Sequence, residues 1–216
     1  MAIGDHLRDV MDLYGSPKCP HTNAVLIAAG EKGVDINSHV EDDWGPSSSI
    51  RSMSPLGIGP VLKDRTAVNI GLVSCMSYLD DKGFGPSLVH RNGVTRARMF
   101  QEITIAQQTD CSDDAALAAA LDQLEATLNS PLGNMKGDYC VGQYTLADCA
   151  WAGVCQVATN MGKGTAVSSR SAVNTWFAAV QSHPSTSKEA INPFSCLATK
   201  ADHDGNTMRD VRINTA

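Results

Sequence analysis

Residues 11–33 read MDLYGSPKCPHTNAVLIAAGEKG, and this stretch decides the fold. Met11 to Tyr14 form a short apolar run typical of a buried strand, and the Gly-Ser-Pro that follows predicts a turn. Apolar residues then recur at helical spacing from about Pro20 to Lys32, where Gly33 is a natural helix stop. The stretch therefore predicts a strand, a turn and a helix, with Cys19 at the N-terminus of the helix.

The next fifty residues complete a small α/β unit. Val34 to Val40 alternates like a strand, and Pro60 to Leu62 leads into a hairpin whose second strand is Ala67 to Ile70. Val73 to Lys82 has the spacing of a closing helix. Parallel strands need a crossover helix, whereas antiparallel strands need only a hairpin. The order β-α-β followed by β-β-α therefore predicts a thioredoxin-like domain over residues 10–83.

Beyond a polar linker at residues 83–92, strand patterns stop and long helical patterns begin. They cover Val94–Gln108, Asp113–Leu128, Thr145–Met161 and Ser171–Ser182. Thr145 and Asp148 form a helix-start signature, in which the carboxylate reaches back to the cap amide. We predict an all-helical domain over residues 93–195 and, because periodicity is lost there, an extended tail over residues 196–216. The fold class is thus α/β plus all-α.

Composition excludes several classes of function. The 216 residues carry a formal net charge of -6 and no basic block, which argues against nucleic acid as a partner. No apolar run is long enough for a membrane span or a secretory signal, so we expect a cytoplasmic protein with no membrane partner. The seven cysteines are an odd number without a C-x-x-C pair, and they suggest neither a metal site nor a disulfide framework.

Cys19 is the candidate nucleophile on physical grounds. A thiol at a helix N-terminus lies near unpaired amides and the positive end of the helix dipole, which favour the reactive thiolate. Thr22 stands where a dithiol motif has its second cysteine, so a disulfide within the motif cannot form and resolution needs an external thiol. The alternative is that Cys19 is one more inert cysteine. His21 is expected to be an exposed residue of the first helical turn.

Several segments together resemble the glutathione transferase superfamily of cytosolic type, with a cysteine or serine class-like N-terminal motif. The segments are Leu13–Gly33, Ser54–Asp64, Tyr78–Gly83, Tyr139–Gly142 with Thr145–Asp148, and Trp176–Pro184. Their order and spacing carry the resemblance over about residues 11–190. It implies a thioredoxin-like N-terminal domain followed by a helical C-terminal domain, with glutathione as co-substrate and homodimerisation through both domains.

The resemblance also implies a site. Cys19, followed by Pro20, occupies the catalytic position of serine-type and cysteine-type members, while Ser16 and Tyr14 compete for the role because other classes use those residue types. Pro60 corresponds to a cis-proline, and the backbone of Gly59, Pro60 and Val61 would pair with the cysteinyl part of glutathione. The second-substrate pocket would be lined by one face of a helix, unless that face is simply core. Its residues are Met99, Phe100, Ile103, Thr104 and Gln107.

The sequence departs from the family where the γ-glutamyl group is held. Gly71 and Leu72 replace an acidic residue and a serine there, and Ile58 replaces a Lys or Gln. Candidate substitutes are Asn69, Ser74 and Arg65.

Three hypotheses for function follow. In the first, the protein is an enzyme that transfers or exchanges glutathione with a small-molecule electrophile or disulfide at Cys19. In the second, it is a catalytically reduced ligand-binding or interaction protein. The third is an isomerase or sulfur-transfer enzyme of specialised metabolism.

Overall fold

The N-terminal half of the chain builds one mixed sheet in the computed structural model, which describes residues 10–41, 45, 47–129 and 137–183. Its strands are β1 (Met11–Gly15), β2 (Ile36–Val40), β3 (Val61–Asp64) and β4 (Ala67–Ile70), in the order β2-β1-β3-β4. β1 pairs parallel with β2 and antiparallel with β3, and β3 pairs antiparallel with β4. This is the thioredoxin-like arrangement that the sequence predicts.

Helices α1 (Pro20–Glu31) and α3 (Leu72–Lys82) pack against each other beside the sheet. α1 is the crossover that parallel pairing of β1 and β2 requires. Leu13 and Leu62, which lie opposite each other in the ladder, are both buried in the core. A short helix, α2 (Ser49–Met53), lies between β2 and β3. Ser48 caps it by accepting a hydrogen bond from the Arg51 amide at 3.1 Å.

The C-terminal half is helical. It contains α4 (Gly93–Gln108), α5 (Asp114–Asn129), α6 (Leu146–Ala158), α7 (Gly164–Ser168) and α8 (Ser171–Gln181). Every residue of α6 is buried, so this helix is the centre of the domain. The predicted helical segment to Met161 changes type after Ala158, where the chain passes into a π-helical turn (Thr159–Lys163) that contains a kink at Gly162. The predicted fold class is confirmed, the domain limits stay predictions, and the tail lies outside the described residues.

The start of α6 is fixed by Asp148, which is fully buried. Its carboxylate accepts hydrogen bonds from the amides of Cys140 and Thr145 and from the Trp176 indole, each at 2.9 Å. Asp148 therefore reaches back to the Thr145 amide as the sequence signature predicts.

The two halves are joined most closely where α6 crosses the beginning of α1. A Cβ placed on Gly153 would overlap the Pro20 carbonyl oxygen and crowd the amide of Ala24. Only glycine lets α6 approach the first turn of α1 this closely. The same contact sets the position of Cys19 relative to the helical domain.

Candidate functional site

Cys19 is the N-cap residue of α1, and the turn before it is held by two polar side chains. The Cys19 amide donates to the Ser16 carbonyl at 3.0 Å, and the Lys18 amide donates to Ser16 Oγ at 3.1 Å. Asn23, which is buried, donates from Nδ2 to the carbonyls of Pro17 at 2.8 Å and Cys19 at 2.9 Å. Cys19 itself is half-buried. Its thiol is thus presented by a turn whose backbone is fixed on both sides.

α1 and α3 differ in their N-terminal capping from α4, α5 and α8. α4 is capped by Asn92, α5 by Asp113, and the first amides of α8 by Glu125. No side chain among the described residues caps α1 or α3, and neither helix has an acidic residue in its first turn. Amides of a helical first turn have no partner within the helix and favour a negative charge. Both helix starts are therefore suited to an anionic ligand or a thiolate.

The Gly59–Pro60 peptide bond is cis, as the sequence predicts. Among the described residues, β3 pairs with its neighbouring strands only from Val61 onward, so the Gly59 backbone takes no part in these strand pairings. The Gly71 amide donates to the Pro60 carbonyl at 2.8 Å. This bond ties the cis-proline turn to the start of α3, which brings together the segments predicted to hold glutathione.

Gly71 and Leu72 do not offer the polar groups of a γ-glutamyl site. Gly71 is the N-cap of α3 with φ 82° and ψ 167°, a conformation that is essentially restricted to glycine. A Cβ at this position would lie 3.5 Å from Ile58 Cγ2, so the Ile58 side chain covers it. Leu72 is buried in the core. At the start of α3 the side chains of Ile58 and Leu72 are therefore apolar, and neither Gly71 nor Leu72 carries a polar side chain.

Of the three proposed substitutes, only Ser74 lies at the start of α3, where it is exposed. Arg65 is in the turn of the β3–β4 hairpin, beyond the Asp64–Ala67 pair, and its backbone is about 13 Å along the strand from the Val61–Ile70 pair. Asn69 pairs with Leu62 in the ladder, and its Nδ2 is buried without a partner among the described residues. Ser74 is thus the candidate on α3 itself, and the roles of all three residues stay predictions.

Tyr14 and Ser16 hold positions that differ from that of Cys19. The Tyr14 ring stacks on His39 with centroids 4.4 Å apart. Leu13 and Gly15, its neighbours in β1, are buried, so by strand alternation Tyr14 lies on the other face of the sheet. Ser16 is buried and helps to form the turn. The site roles of Cys19, Ser16, Tyr14 and the residues beside Pro60 stay predictions.

The expected exposure of His21 is wrong, whereas the alternative that part of the α4 face is simply core is confirmed. His21 is half-buried and its Nε2 lies 3.0 Å from the Gln107 carbonyl at the end of α4, where burial lowers its pKa. Met99 and Ile103, expected as possible pocket residues, are completely buried in the core. Phe100, Thr104 and Gln107 remain on the more accessible side of α4.

The other described cysteines are buried. Burial raises the pKa of the Cys75 thiol to about 12 and that of Cys111 to about 11, and it also raises those of Cys140, Cys149 and Cys155. Cys19 differs from all five because it is only half-buried and begins a helix. Sequence spacing treated the other cysteines alike, and it missed that the end of α4, four residues before Cys111, contacts the first turn of α1.

Two negative findings apply to the described residues. No helix among them is both long and apolar enough to cross a bilayer. Nor does the described part of the chain group three or more His, Cys, Asp or Glu side chains in a way that could hold a metal ion.

Sequence comparison with known proteins finds relatives that match only part of this chain. No family model matches the chain. A stringent starvation protein A homologue from Coxiella burnetii is 33% identical over 91 residues, which cover 42% of this chain and 44% of that protein. The chain therefore spans less than half the length of this relative. A stringent starvation protein A homologue from Pasteurella multocida is 26% identical over 159 residues, covering 69% and 75% of the two chains.

Solved structures show similarity over most of the chain. A delta-class glutathione transferase of Nilaparvata lugens has a TM-score of 0.69 at 23% identity, covering 88% of this chain and 99% of that one. FzlA from C. crescentus has a TM-score of 0.69 at 20% identity, with 82% and 89% covered. A maleyl pyruvate isomerase, described as a bacterial zeta-class glutathione transferase, has a TM-score of 0.68 at 19% identity, with 90% and 100% covered.

Proposed function

We propose, from the premise that this chain has the glutathione transferase fold, that it is a thiol-exchanging enzyme with Cys19 at its active centre. Glutathione would be the co-substrate, and a small-molecule electrophile or disulfide the second substrate. The observation that carries the proposal is the placement of Cys19, a half-buried thiol at the uncapped N-terminus of α1. The fold is common to many activities, so this local geometry, rather than the similarity, supports the chemistry.

The position of Cys19 favours formation of a mixed disulfide. The first-turn amides of α1 stabilise a thiolate, which attacks one sulfur of a disulfide and expels the other as a thiol. The fixed Ser16 and Asn23 contacts hold the turn, so little backbone ordering is needed when a ligand binds.

Glutathione would lie along the cis-proline turn. Its cysteinyl backbone would pair with Gly59, beside Pro60 and Val61, as an added strand, and a carboxylate would face the free amides of α1 or α3. Gly71 and Leu72 supply only backbone groups to the γ-glutamyl end. Each missing charge-assisted hydrogen bond is worth about 1.5–3 kcal/mol, or about ten- to 150-fold in affinity. We therefore expect weaker glutathione binding than a complete γ-glutamyl site gives.

Intact-protein mass measurement after incubation with glutathione disulfide tests the proposal. We expect oxidation of the wild-type protein that requires Cys19, either as a glutathionyl adduct or as a product formed from it. The Cys19→Ser variant should stay unmodified, while Cys75→Ser is the matched control because Cys75 is completely buried. Equal modification of the wild type and Cys19→Ser would refute a reactive Cys19.

A second candidate is a catalytically reduced ligand-binding or interaction protein. The apolar cover of Gly71 by Ile58 favours it, as do sequence relatives named as stringent starvation protein A homologues. Calorimetry with reduced glutathione separates the two, because the first candidate requires saturable binding that competes with glutathione disulfide. Absence of both binding and Cys19 oxidation would favour the second candidate.

An isomerase or sulfur-transfer role is the third candidate, which is consistent with the similarity to a maleyl pyruvate isomerase structure. It would use glutathione without net oxidation of Cys19. Glutathione-dependent turnover that survives in Cys19→Ser would favour it over thiol exchange.

Homodimerisation and a cytoplasmic location are also parts of the proposal. The loop before the cis-proline exposes Leu56 to 79% and Ile58 to 48%, an unusual exposure for such apolar side chains. Light scattering on the full chain measures the oligomeric state. A monomer at micromolar concentration would contradict the dimer without affecting the Cys19 chemistry.

A further inference from the structure

The loop between α4 and α5, which carries Cys111, lies against the start of α1. His21 Nε2, two residues after Cys19, contacts the Gln107 carbonyl at 3.0 Å, four residues before Cys111. Cys111 Sγ lies 3.9 Å from the Val154 carbonyl. The residue before Val154 is the glycine whose missing Cβ makes room for the Pro20 carbonyl. These contacts join the two residues that follow Cys19 to Gln107, to Gly153 and, through Val154, to Cys111, so the two cysteines lie in the same region.

We propose that Cys111 is the resolving thiol of this protein, and that it forms a disulfide with Cys19 once Cys19 has been oxidised. The proposal rests on the proposed function only in its first step, the attack of Cys19 on a disulfide. The motif at the start of α1 has Thr22 in place of a second cysteine. In this proposal the helical domain supplies the second cysteine instead.

The reaction balances with glutathione disulfide as the oxidant. The Cys19 thiolate attacks one sulfur of the oxidant, the sulfur–sulfur bond breaks, and the expelled glutathione takes up the proton that Cys19 lost. The Cys111 thiolate then attacks the Cys19 sulfur and expels the second glutathione, which takes up the proton from Cys111. Two protein thiols are oxidised, and one glutathione disulfide is reduced to two glutathione molecules.

The charges around Cys111 make the second step depend on the first. Burial raises the pKa of the Cys111 thiol, Asp110 and the charge of a Cys19 thiolate raise it further, and Lys163 lowers it. A mixed disulfide at Cys19 removes that negative charge, so Cys111 ionises more easily after the first step than before it.

Formation of the bond also requires the loop to move. A disulfide needs Cα atoms within about 7 Å of each other, and Cys111 must turn away from the Val154 carbonyl. Lys163 Nζ holds this loop through the carbonyls of Cys111 and Ser112, both at 2.8 Å. The product would link the thioredoxin-like domain covalently to the helical domain. The Cys19 sulfur would then be bonded to Cys111 and no longer available to form a mixed disulfide with glutathione.

The test treats the full chain with glutathione disulfide at a series of pH values and follows intact mass and disulfide-linked peptides. We expect the wild type to lose two hydrogens and to yield a peptide pair joined through Cys19 and Cys111. At pH values below the pKa of Cys111, the rate of the second step should rise about tenfold for each unit of increase in pH, since only the thiolate attacks.

Three variants sharpen the test. Cys111→Ser keeps a donor for the Val154 carbonyl and should stop at the glutathionyl adduct on Cys19. Cys111→Ala should do the same, which guards against a folding defect peculiar to one variant. Cys155→Ser is the matched control, because Cys155 is a completely buried neighbour of Cys111 and its loss should leave the cross-link intact.

Two results would overturn the inference in distinguishable ways. If the wild type keeps a glutathionyl adduct at Cys19 and forms no cross-link at any pH, Cys111 is not a resolving thiol and the proposed function stands. If Cys19 is never modified, both the inference and the thiol-exchange function fail.

Discussion

Replacing Lys32 by methionine should destabilise the protein strongly. The Lys32 side chain is 2% exposed, and its Nζ lies 3.1 Å from Asp80 Oδ1 and 3.0 Å from the Pro86 carbonyl. Asp80 is equally buried and also accepts hydrogen bonds from the Leu88 amide and Ser87 Oγ, both at 2.7 Å. The ion pair therefore anchors the linker between the two domains to α1 and α3.

The magnitude follows from which groups remain after the substitution. Methionine fills the space of the lysine stem, so the cost is that of leaving the buried Asp80 carboxylate without its cation, about 3–5 kcal/mol. The two remaining hydrogen bonds to Asp80 favour the lower end of that range. For a chain of this size the loss corresponds to a fall in Tm of about 6–12 °C.

Urea unfolding with linear extrapolation measures the effect, with two further variants as controls. Lys82→Met removes an exposed lysine that lies 5.6 Å from the Tyr78 ring centroid, and it should cost at most about 1 kcal/mol. The Lys32→Met, Asp80→Asn double variant should recover most of the lost stability, since it contains no unpaired buried charge. A loss below about 1 kcal/mol in Lys32→Met would refute the reasoning, as would a double variant less stable than the single one.

The pH dependence gives an independent check. Burial alone would raise the pKa of Asp80, but its hydrogen bonds to Leu88, Ser87 and Lys32 lower it below the ordinary value. Asp80 therefore contributes stability above its unfolded-state pKa, and this contribution is lost as pH falls through the lower, folded-state pKa. Lys32→Met raises the folded-state pKa instead, so its penalty should be largest near neutral pH and shrink in acid.

Three further predictions concern single positions. Gly153→Ala should cost about 1–3 kcal/mol in urea unfolding, because the added methyl group meets the Pro20 carbonyl; an unchanged midpoint would contradict the close approach. Asp148→Asn should cost about 2–3 kcal/mol, since an amide NH2 would face buried donors, and a neutral result would show that the network rearranges. Tyr14→Phe should leave the rate of Cys19 oxidation by glutathione disulfide unchanged, because the Tyr14 ring stacks on His39. A large fall in that rate would show that the Tyr14 hydroxyl takes part in the reaction.

Local features were predictable because they depend on neighbours in the sequence. The helix start at Cys19, the return of Asp148 to the Thr145 amide and the hairpin strand Ala67–Ile70 all agree with the structure. Each is governed by hydrogen bonds or turns within a few residues. The thioredoxin-like order followed from the same short-range patterns.

Interior charges and breaks in helices were not predictable in this way. Glu102 lies inside a predicted helix, yet it is completely buried and receives the Trp151 indole N–H at 3.2 Å and the Arg98 guanidinium at 2.8 Å. The spacing of apolar residues around Glu102 is that of an ordinary helix. One of its two partners, Trp151, lies on a different helix, α6. The π-helical turn after Ala158 likewise interrupts an unbroken helical pattern.

The order of the elements and the cysteine at the start of a helix follow from local sequence, because backbone preferences and capping act over a few residues. The surroundings of that cysteine depend on tertiary packing. The approach of α6 at Gly153 brings Val154, and with it Cys111, toward the start of α1, and the Ile58 side chain lies against Gly71 at the start of α3. Such contacts join segments far apart in the chain, and they depend on the direction of each side chain after the helices and strands have packed.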